Sequence, residues 1–344
     1  MKGFKSLIVF IIIQLFIYGF VHCQHPINYQ VSSDETKDPP VVIPGGRLYY
    51  EEIDCWFVKD SSDVLVEPNK NYSGYYRGDT AGVEKDCKER ISAKNVSIDN
   101  DVIMLWVSTH YFHFFWETML LLQSLKVHGI LDQYPNATII CSSFLSTTNF
   151  QQAALFGLDM QPYKFTRAEA LVNYTVSHDR KLIVPQNARA YWNNPISTNI
   201  RRDIISQYPH HTKLGRILYL TRRGDRRGVA NEYALLQELR KFLHLQVVEC
   251  DKLTLLEQAN LFSEAAVIIG PHGSAFTNMI FSSNNITVIE FSGNKHHGTQ
   301  KHFIDLMRIK NYHIIIGANI EDSQGDMIMN LTDVVRQVKL YVSV

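Results

Sequence analysis

The sequence predicts an α/β fold, with a parallel, Rossmann-like sheet in its C-terminal half. Two observations predict it. From residue 216 onward, short apolar runs alternate with longer amphipathic stretches at a regular spacing. That alternation requires right-handed crossovers and therefore parallel strands. Within it, the run at 267–269 ends at Gly270-Pro271-His272-Gly273, and a helical pattern over 274–281 follows at once. A buried strand, a glycine turn and a helix start read either as an ordinary strand-to-helix turn with a surface histidine or as an anion site, in which unsatisfied first-turn N–H groups point at a ligand with the helix dipole behind them.

The elements follow in order. Strands are expected over 217–220, 245–248, 267–269, 287–291 and 312–316, with helices over 232–242, 255–262, 274–281 and 301–309. The first half is less regular, with strands at 102–107, 137–142 and 181–184 and helices at 111–127, 149–156 and 196–207. Residues 24–46 read as a polar, proline-bearing leader, and 48–98 as an irregular cap. The segments expected are therefore a signal peptide or short signal-anchor (1–23), leader and cap (24–100), an N-terminal Rossmann-like domain (101–190), a C-terminal one (191–320), and a C-terminal helix packing back on the first domain (321–344).

Composition narrows the function. At 45% hydrophobic and 20% charged residues the 344-residue chain is globular. Its 34 basic and 34 acidic residues balance, with pI near 7.2, so nucleic acid is not an expected partner. Lys2 and Lys5 precede a nearly unbroken apolar run at 7–21, a secretory signal pattern that also leaves membrane attachment through that run open. Six acceptor sequons, at Asn71, Asn95, Asn136, Asn173, Asn285 and Asn330, agree with a lumenal chain. Without Cys23, the remaining Cys55, Cys87, Cys141 and Cys250 are even in number; a disulfide between Cys55 and Cys87 is the preferred pairing. No GxGxxG opens the first C-terminal helix and no GxSxG occurs, which argues against dinucleotide and nucleophile-elbow chemistry. Asp99-Asn100-Asp101 has the spelling of a metal-binding DxD, but it precedes its strand and reads as a turn.

Two constellations could carry chemistry. The helix at 111–127 is apolar over most of its surface, against which His113, Glu117 and Ser124 form one polar stripe at spacings of four and seven. A buried ionisable stripe is either a satisfied core pair or the lining of a cleft holding a general base. The loop after the first C-terminal strand carries Arg222, Arg223, Arg226 and Arg227, followed by Asn231. At the carboxyl edge of a parallel sheet, beside the Gly270–Ser274 turn, such arginines suit a diphosphate. Asn278 lies about one helical turn into the helix after that turn, and Glu290 ends the next strand, placed either for ribose hydroxyls or for the edge of the core.

In order along the chain, these residues resemble the family-61 glycosyltransferases, closest to the EGF-domain-specific O-linked N-acetylglucosamine transferase group and its plant xylosyltransferase relatives. The elements are His113 with Glu117, then Arg222, Arg227 and Asn231, then Glu257-Gln258, then Gly270, His272 and Gly273, then Glu290. The resemblance covers residues 102–316. The helix acid is Glu117 where several animal relatives have Asp, and Ser274 stands where Ala is usual. The resemblance implies two facing Rossmann-like domains (GT-B type) with the active site in a central cleft, and inverting, metal-independent transfer from a UDP-sugar co-substrate without further cofactor. Glu117 or His113 would be the base. Arg222, Arg227, Asn231, Gly270, His272, Gly273, Ser274, Asn278 and Glu290 would bind the nucleotide sugar, with no metal ligand. The expectation is transfer of N-acetylglucosamine or xylose to a glycoprotein or glycan acceptor in the endoplasmic reticulum or Golgi lumen. Its alternative is an inactive relative that binds sugar nucleotide or glycan.

Overall fold

A computed structural model gives the structure of the chain and describes residues 39–52, 55–62, 65–66, 94–105, 107, 111–141, 164–168, 172–185, 215–224, 226–293, 304, 307–321, 323 and 325–342. The apolar run at 7–21, Cys87, the helices expected at 149–156 and 196–207, and the boundary expected at 190/191 lie outside those residues.

The first sheet contains β1 (Val41–Glu52), β2 (Cys55–Lys59), β3 (Leu65–Val66), β4 (Lys94–Ile98), β5 (Val102–Leu105), β6 (Thr138–Cys141), β7 (Lys164–Arg167) and β8 (Val172–Val184). Their order is β3-β2-β1-β8-β5-β6-β7. β8 carries β1 antiparallel on one side; on the other it pairs in parallel with β4 through 172–176 and with β5 through 182–183. β5, β6 and β7 continue in parallel. The end of the leader expected at 24–46 and the irregular cap expected at 48–98 are thus, where described, four strands of this sheet. Pro44-Gly45-Gly46 has the spelling of a turn but lies inside β1. Gly45 and Gly46 have φ of 63° and 133°, and the register shifts there, so the glycines build a bulge and the strand runs on. Asp99-Asn100-Asp101 is a structural turn. Asp101 Oδ1 accepts from the Lys181 N–H at 2.8 Å, Asn100 Nδ2 donates to the Asn136 carbonyl at 2.8 Å, and Asp99 pairs with Arg180.

Between β5 and β6 runs α1, made of an α-turn (Tyr111–His113), a π-turn (Phe114–Thr118) and an α-helix (Met119–Val127). Its leucines, Leu120, Leu121, Leu122 and Leu125, are buried, as the apolar surface predicts. A short helix, α2 (Ile130–Gln133), leads on to β6.

The second sheet is the regular one. It holds β9 (Arg216–Leu220), β10 (Leu245–Val248), β11 (Ala265–Pro271), β12 (Thr287–Gly293), β13 (Asn311–Asn319) and β14 (Met327–Ile328), with helices α3 (Glu232–Arg240) and α4 (Leu255–Ser263) between strands. All five expected strands are present, and they are parallel in the order β10-β9-β11-β12-β13. The added β14 is antiparallel to β13. α4 starts at a capping box in which the Thr254 side chain accepts from the Glu257 N–H while the Glu257 carboxylate accepts from the Thr254 N–H at 2.7 Å.

The segment after β11, Ser274–Phe281, is a 3-10 helix, not the α-helix its pattern suggested. The C-terminal helix α5 (Leu331–Tyr341) packs on α3 and β13 of the second sheet, where a return to the first was expected. Val334 and Val338 are buried with Leu235, Leu239 and Ile289. β14 holds the chain beside β13 when the helix begins, and so directs it there. A single apolar cluster runs through both sheets, joining Ile103, Leu120 and Ile139 to Leu218, Ile268 and Ile280.

Candidate active site

β9 sends its chain to β10 on one side, whereas β11 sends its chain to β12 on the other. Where neighbouring parallel strands diverge in this way, a crevice opens beyond their carboxyl ends. The two loops expected to hold a diphosphate, 221–230 and 270–274, are the two that flank this switch point.

They touch through Arg222. Its Nη1 donates to the His272 carbonyl at 2.9 Å, and its guanidinium covers Gly273, where a Cβ would lie 2.1 Å from Nη1. Gly273 therefore leaves room for an arginine. Gly270 leaves room for a strand, because a Cβ there would meet the Leu220 carbonyl oxygen at 2.6 Å. Both glycines are required by protein packing, a role distinct from the approach of a ligand that a glycine turn suggests. Ser274 is exposed at the start of the 3-10 helix, whose N-cap residue, Gly273, has no side chain with which to cap it. Its first N–H groups have no partner within the helix.

His272 is buried, and its Nδ1 hydrogen-bonds Glu290 Oε1 across β11 and β12. Tyr312 on β13 donates its hydroxyl to Glu290 Oε2. Burial first, and the adjacent Glu290 carboxylate second, push the Tyr312 phenol well up, so it stays a donor. Glu290 thus has both oxygens occupied by protein and sits at the core edge, one of the two positions open to it from sequence.

The remaining arginines divide. Arg223 Nε donates to Glu232 Oε2 at 2.6 Å, and the same carboxylate accepts from the Thr221 hydroxyl. Arg227 is in the left-handed region, φ 65°, which a side chain adopts only where its surroundings impose it. The loop is imposed from outside. Gly228 N–H donates to Asp326 Oδ1, Ala230 N–H to the Met327 carbonyl, and the two ends of the Asn231 amide bond the Met329 backbone at 2.8 and 3.0 Å. Asn231 strengthens this strap. Sequence reasoning missed the strap, and 326–329 carries no motif that would reveal it.

On α1, His113 Nδ1 meets Glu117 Oε1 at 3.0 Å, with side chains 31% and 3% exposed. Glu117 Oε2 is buried with no hydrogen-bond partner among the described residues. Such an atom is costly unless something else meets it. The pair lies at the π-turn, a feature frequent at functional sites. Ser124, extrapolated onto the same stripe, is elsewhere: it is buried beyond the π-turn and bonds His128, whose Nδ1 donates to the Ser124 carbonyl at 2.8 Å. The extra residue in the π-turn breaks the even period behind that extrapolation.

Asn278, fully buried, joins the two regions: its Oδ1 accepts from the Tyr111 hydroxyl at 2.6 Å and its Nδ2 donates to Gln258 Oε1 at 2.7 Å. Cys250, 3.9 Å from Asn278 Nδ2, has its thiol pushed up to about 12 by burial and remains protonated, as does Cys141, also pushed up to about 12. Both cysteines are free thiols.

A model of the glycosyltransferase 61 family matches residues 111–289, just over half of the chain. The match starts at Tyr111, takes in His113 and Glu117, the arginine loop and the Gly270–Ser274 turn, and ends one residue before Glu290. The chain belongs to glycosyltransferase family 61. No curated protein matched the chain. Membership carries glycosyltransferase activity in general, with a sugar donor and an acceptor. The family-61 match thus holds in one segment the His–Glu pair, the guanidinium over the turn and the uncapped helix start.

Proposed function

We propose that this family-61 chain is an inverting glycosyltransferase of the secretory pathway, moving N-acetylglucosamine or xylose from a UDP-sugar to a glycoprotein acceptor. One observation carries the reading: Arg222 lies across the Gly270–Ser274 turn at the switch point of a parallel sheet. A guanidinium and an uncapped helix start on one crevice suit the two charges of a leaving diphosphate. The lumenal assignment draws support from the sequon asparagines Asn95, Asn136, Asn285 and Asn330, all exposed. Among the described residues no helix is long and apolar enough to cross a membrane.

The chemistry divides between the two regions. His113, its Nδ1 held by Glu117, takes the proton of the acceptor hydroxyl through Nε2, and Glu117 steadies the imidazolium that forms. The acceptor oxygen attacks the anomeric carbon from the face opposite the diphosphate. The bond between that carbon and the phosphate oxygen breaks, and its electron pair leaves with UDP. Arg222, Arg227 and the first N–H groups of the 3-10 helix take up the developing charge. The expected two-domain GT-B arrangement, with acceptor and donor sides facing, belongs to this reading. His272, fixed by Glu290 and Tyr312, contacts the diphosphate or donor sugar, and Asn231, Asn278 and Glu290 position the groups that do.

The test is UDP-sugar hydrolysis and transfer by wild type, Arg222→Ala and His113→Ala. Arg222→Ala is expected to weaken UDP binding about ten- to hundredfold, from one lost charge-assisted bond. His113→Ala is expected to lower transfer about 10²- to 10⁴-fold with UDP affinity unchanged. Tight UDP binding by wild type without turnover on any acceptor would select the inactive, ligand-binding alternative; no binding of any sugar nucleotide would end the transferase reading and leave only the glycan-binding form of the alternative.

A further inference from the structure

A hydrogen-bonded chain runs from α1 through the 3-10 helix to α4 and the segment just before it. The Tyr111 hydroxyl donates to Asn278 Oδ1 at 2.6 Å, and Asn278 Nδ2 to Gln258 Oε1 at 2.7 Å. Gln258 Nε2 then donates to the Cys250 and Leu253 carbonyls at 2.9 and 3.0 Å. The direction of the chain is forced. Two backbone carbonyls accept only, so Gln258 must turn its Nε2 to them and its Oε1 to Asn278. Asn278 must then present Nδ2 to Gln258 and Oδ1 to Tyr111, and Tyr111 must donate. Bonds aligned this way polarise one another, and Asn278 and Gln258 are buried where water cannot substitute.

The ends of this chain matter because of what each segment carries. Tyr111 begins the helix that holds His113 and Glu117, and Asn278 sits in the 3-10 helix that begins at the His272-Gly273 turn. Resting on the site reading above, we propose that Tyr111 is a positioning residue: through Asn278 and Gln258 it fixes the His113–Glu117 pair relative to the diphosphate turn, so that donor and base are held in register. Asn278 and Gln258 are the rigid abutment and Tyr111 the strut. The hydroxyl is the element that a phenylalanine, with the same ring, cannot supply.

Hydrogen exchange on the full chain with and without UDP tests this, using wild type and Tyr111→Phe. In wild type, UDP should slow exchange in the 274–281 segment and also at 111–118. In Tyr111→Phe the protection at 274–281 should persist while that at 111–118 is lost. In transfer assays the same variant should lose roughly tenfold in kcat, as misplaced reacting groups do, with the KM for the UDP-sugar and the rate of donor hydrolysis by water unchanged. A merely structural role for Tyr111 would move hydrolysis and transfer together. Equal UDP protection of 111–118 in both proteins overturns the proposal. If UDP protects neither segment of wild type, the donor-site reading itself fails, and the strut falls with it.

Discussion

Glu290 is a buried carboxylate between two donors, His272 and Tyr312, and its own strand contributes neither. Removing the acceptor of a buried hydrogen bond leaves its donor unsatisfied, at about 1–3 kcal/mol for each donor. Glu290→Ala strands two donors and is therefore expected to destabilise the protein by about 2–6 kcal/mol. Tyr312→Phe, which leaves one carboxylate oxygen short of a donor, is expected to cost about 1.5–3 kcal/mol. Urea denaturation of both variants measures this; equal and small effects would show the carboxylate to be hydrated instead. Much at this scale was legible beforehand. The spacing of four between His113 and Glu117 pairs their side chains on any helical turn, and they do pair. What was hidden is which groups the protein uses internally. Asn231, Asn278 and Glu290 look identical in sequence whether they face a ligand or other groups of the protein, since the choice depends on residues up to 167 positions away.

At the scale of elements, the meeting of β9 and β11 decides the site. Gly270 lets the Leu220 backbone approach so closely that an added methyl would collide with a carbonyl oxygen, which unlike a flexible side chain cannot swing away. Gly270→Ala is expected to force the strands apart at their carboxyl ends, costing about 1–3 kcal/mol and weakening UDP binding with it. Gly273→Ala meets the far end of an arginine side chain, which can move, so it should spare stability and act on UDP binding through Arg222 alone. Thermal melts beside UDP calorimetry separate the two; similar stability losses for both would contradict the distinction. The strand and helix sequence around these glycines was legible because parallel βαβ units carry strong periodicity. The π-turn in α1, the 3-10 helix after Gly273 and the bulge in β1 were not, because each inserts or removes part of a turn for tertiary reasons.

At the scale of the whole molecule, α5 is fastened to the second sheet where His313 on β13 stacks on Tyr341, with ring centroids 3.7 Å apart and planes 3° from parallel. Burial lowers the His313 pKa, so the folded protein favours the neutral ring. The unfolded chain then binds more protons at mildly acidic pH. The stability this contact contributes is present above the unfolded value of about 6.5 and is lost as pH falls through the lower folded value. The melting temperature is expected to drop as pH is lowered through that window, and less so in His313→Phe, which keeps a stacking ring. A pH dependence identical in the two proteins would assign the drop to other groups.

What the sequence determined by itself is the α/β class, the five parallel strands of the second sheet, the His113–Glu117 pair, the arginine loop and the family resemblance that residues 111–289 bear out. These depend on local periodicity, on spacing within one helix or on motif order, all of which are properties of the chain read in one direction. Only the tertiary structure decided that β9 lies between β10 and β11, which makes the arginine loop and the glycine turn neighbours at a switch point. It alone set Arg222 over Gly273, strapped the loop to 326–329 and joined Tyr111 to Asn278. Strand order and side-chain commitments of that kind follow from which distant surfaces exclude water together, and no local pattern encodes that choice.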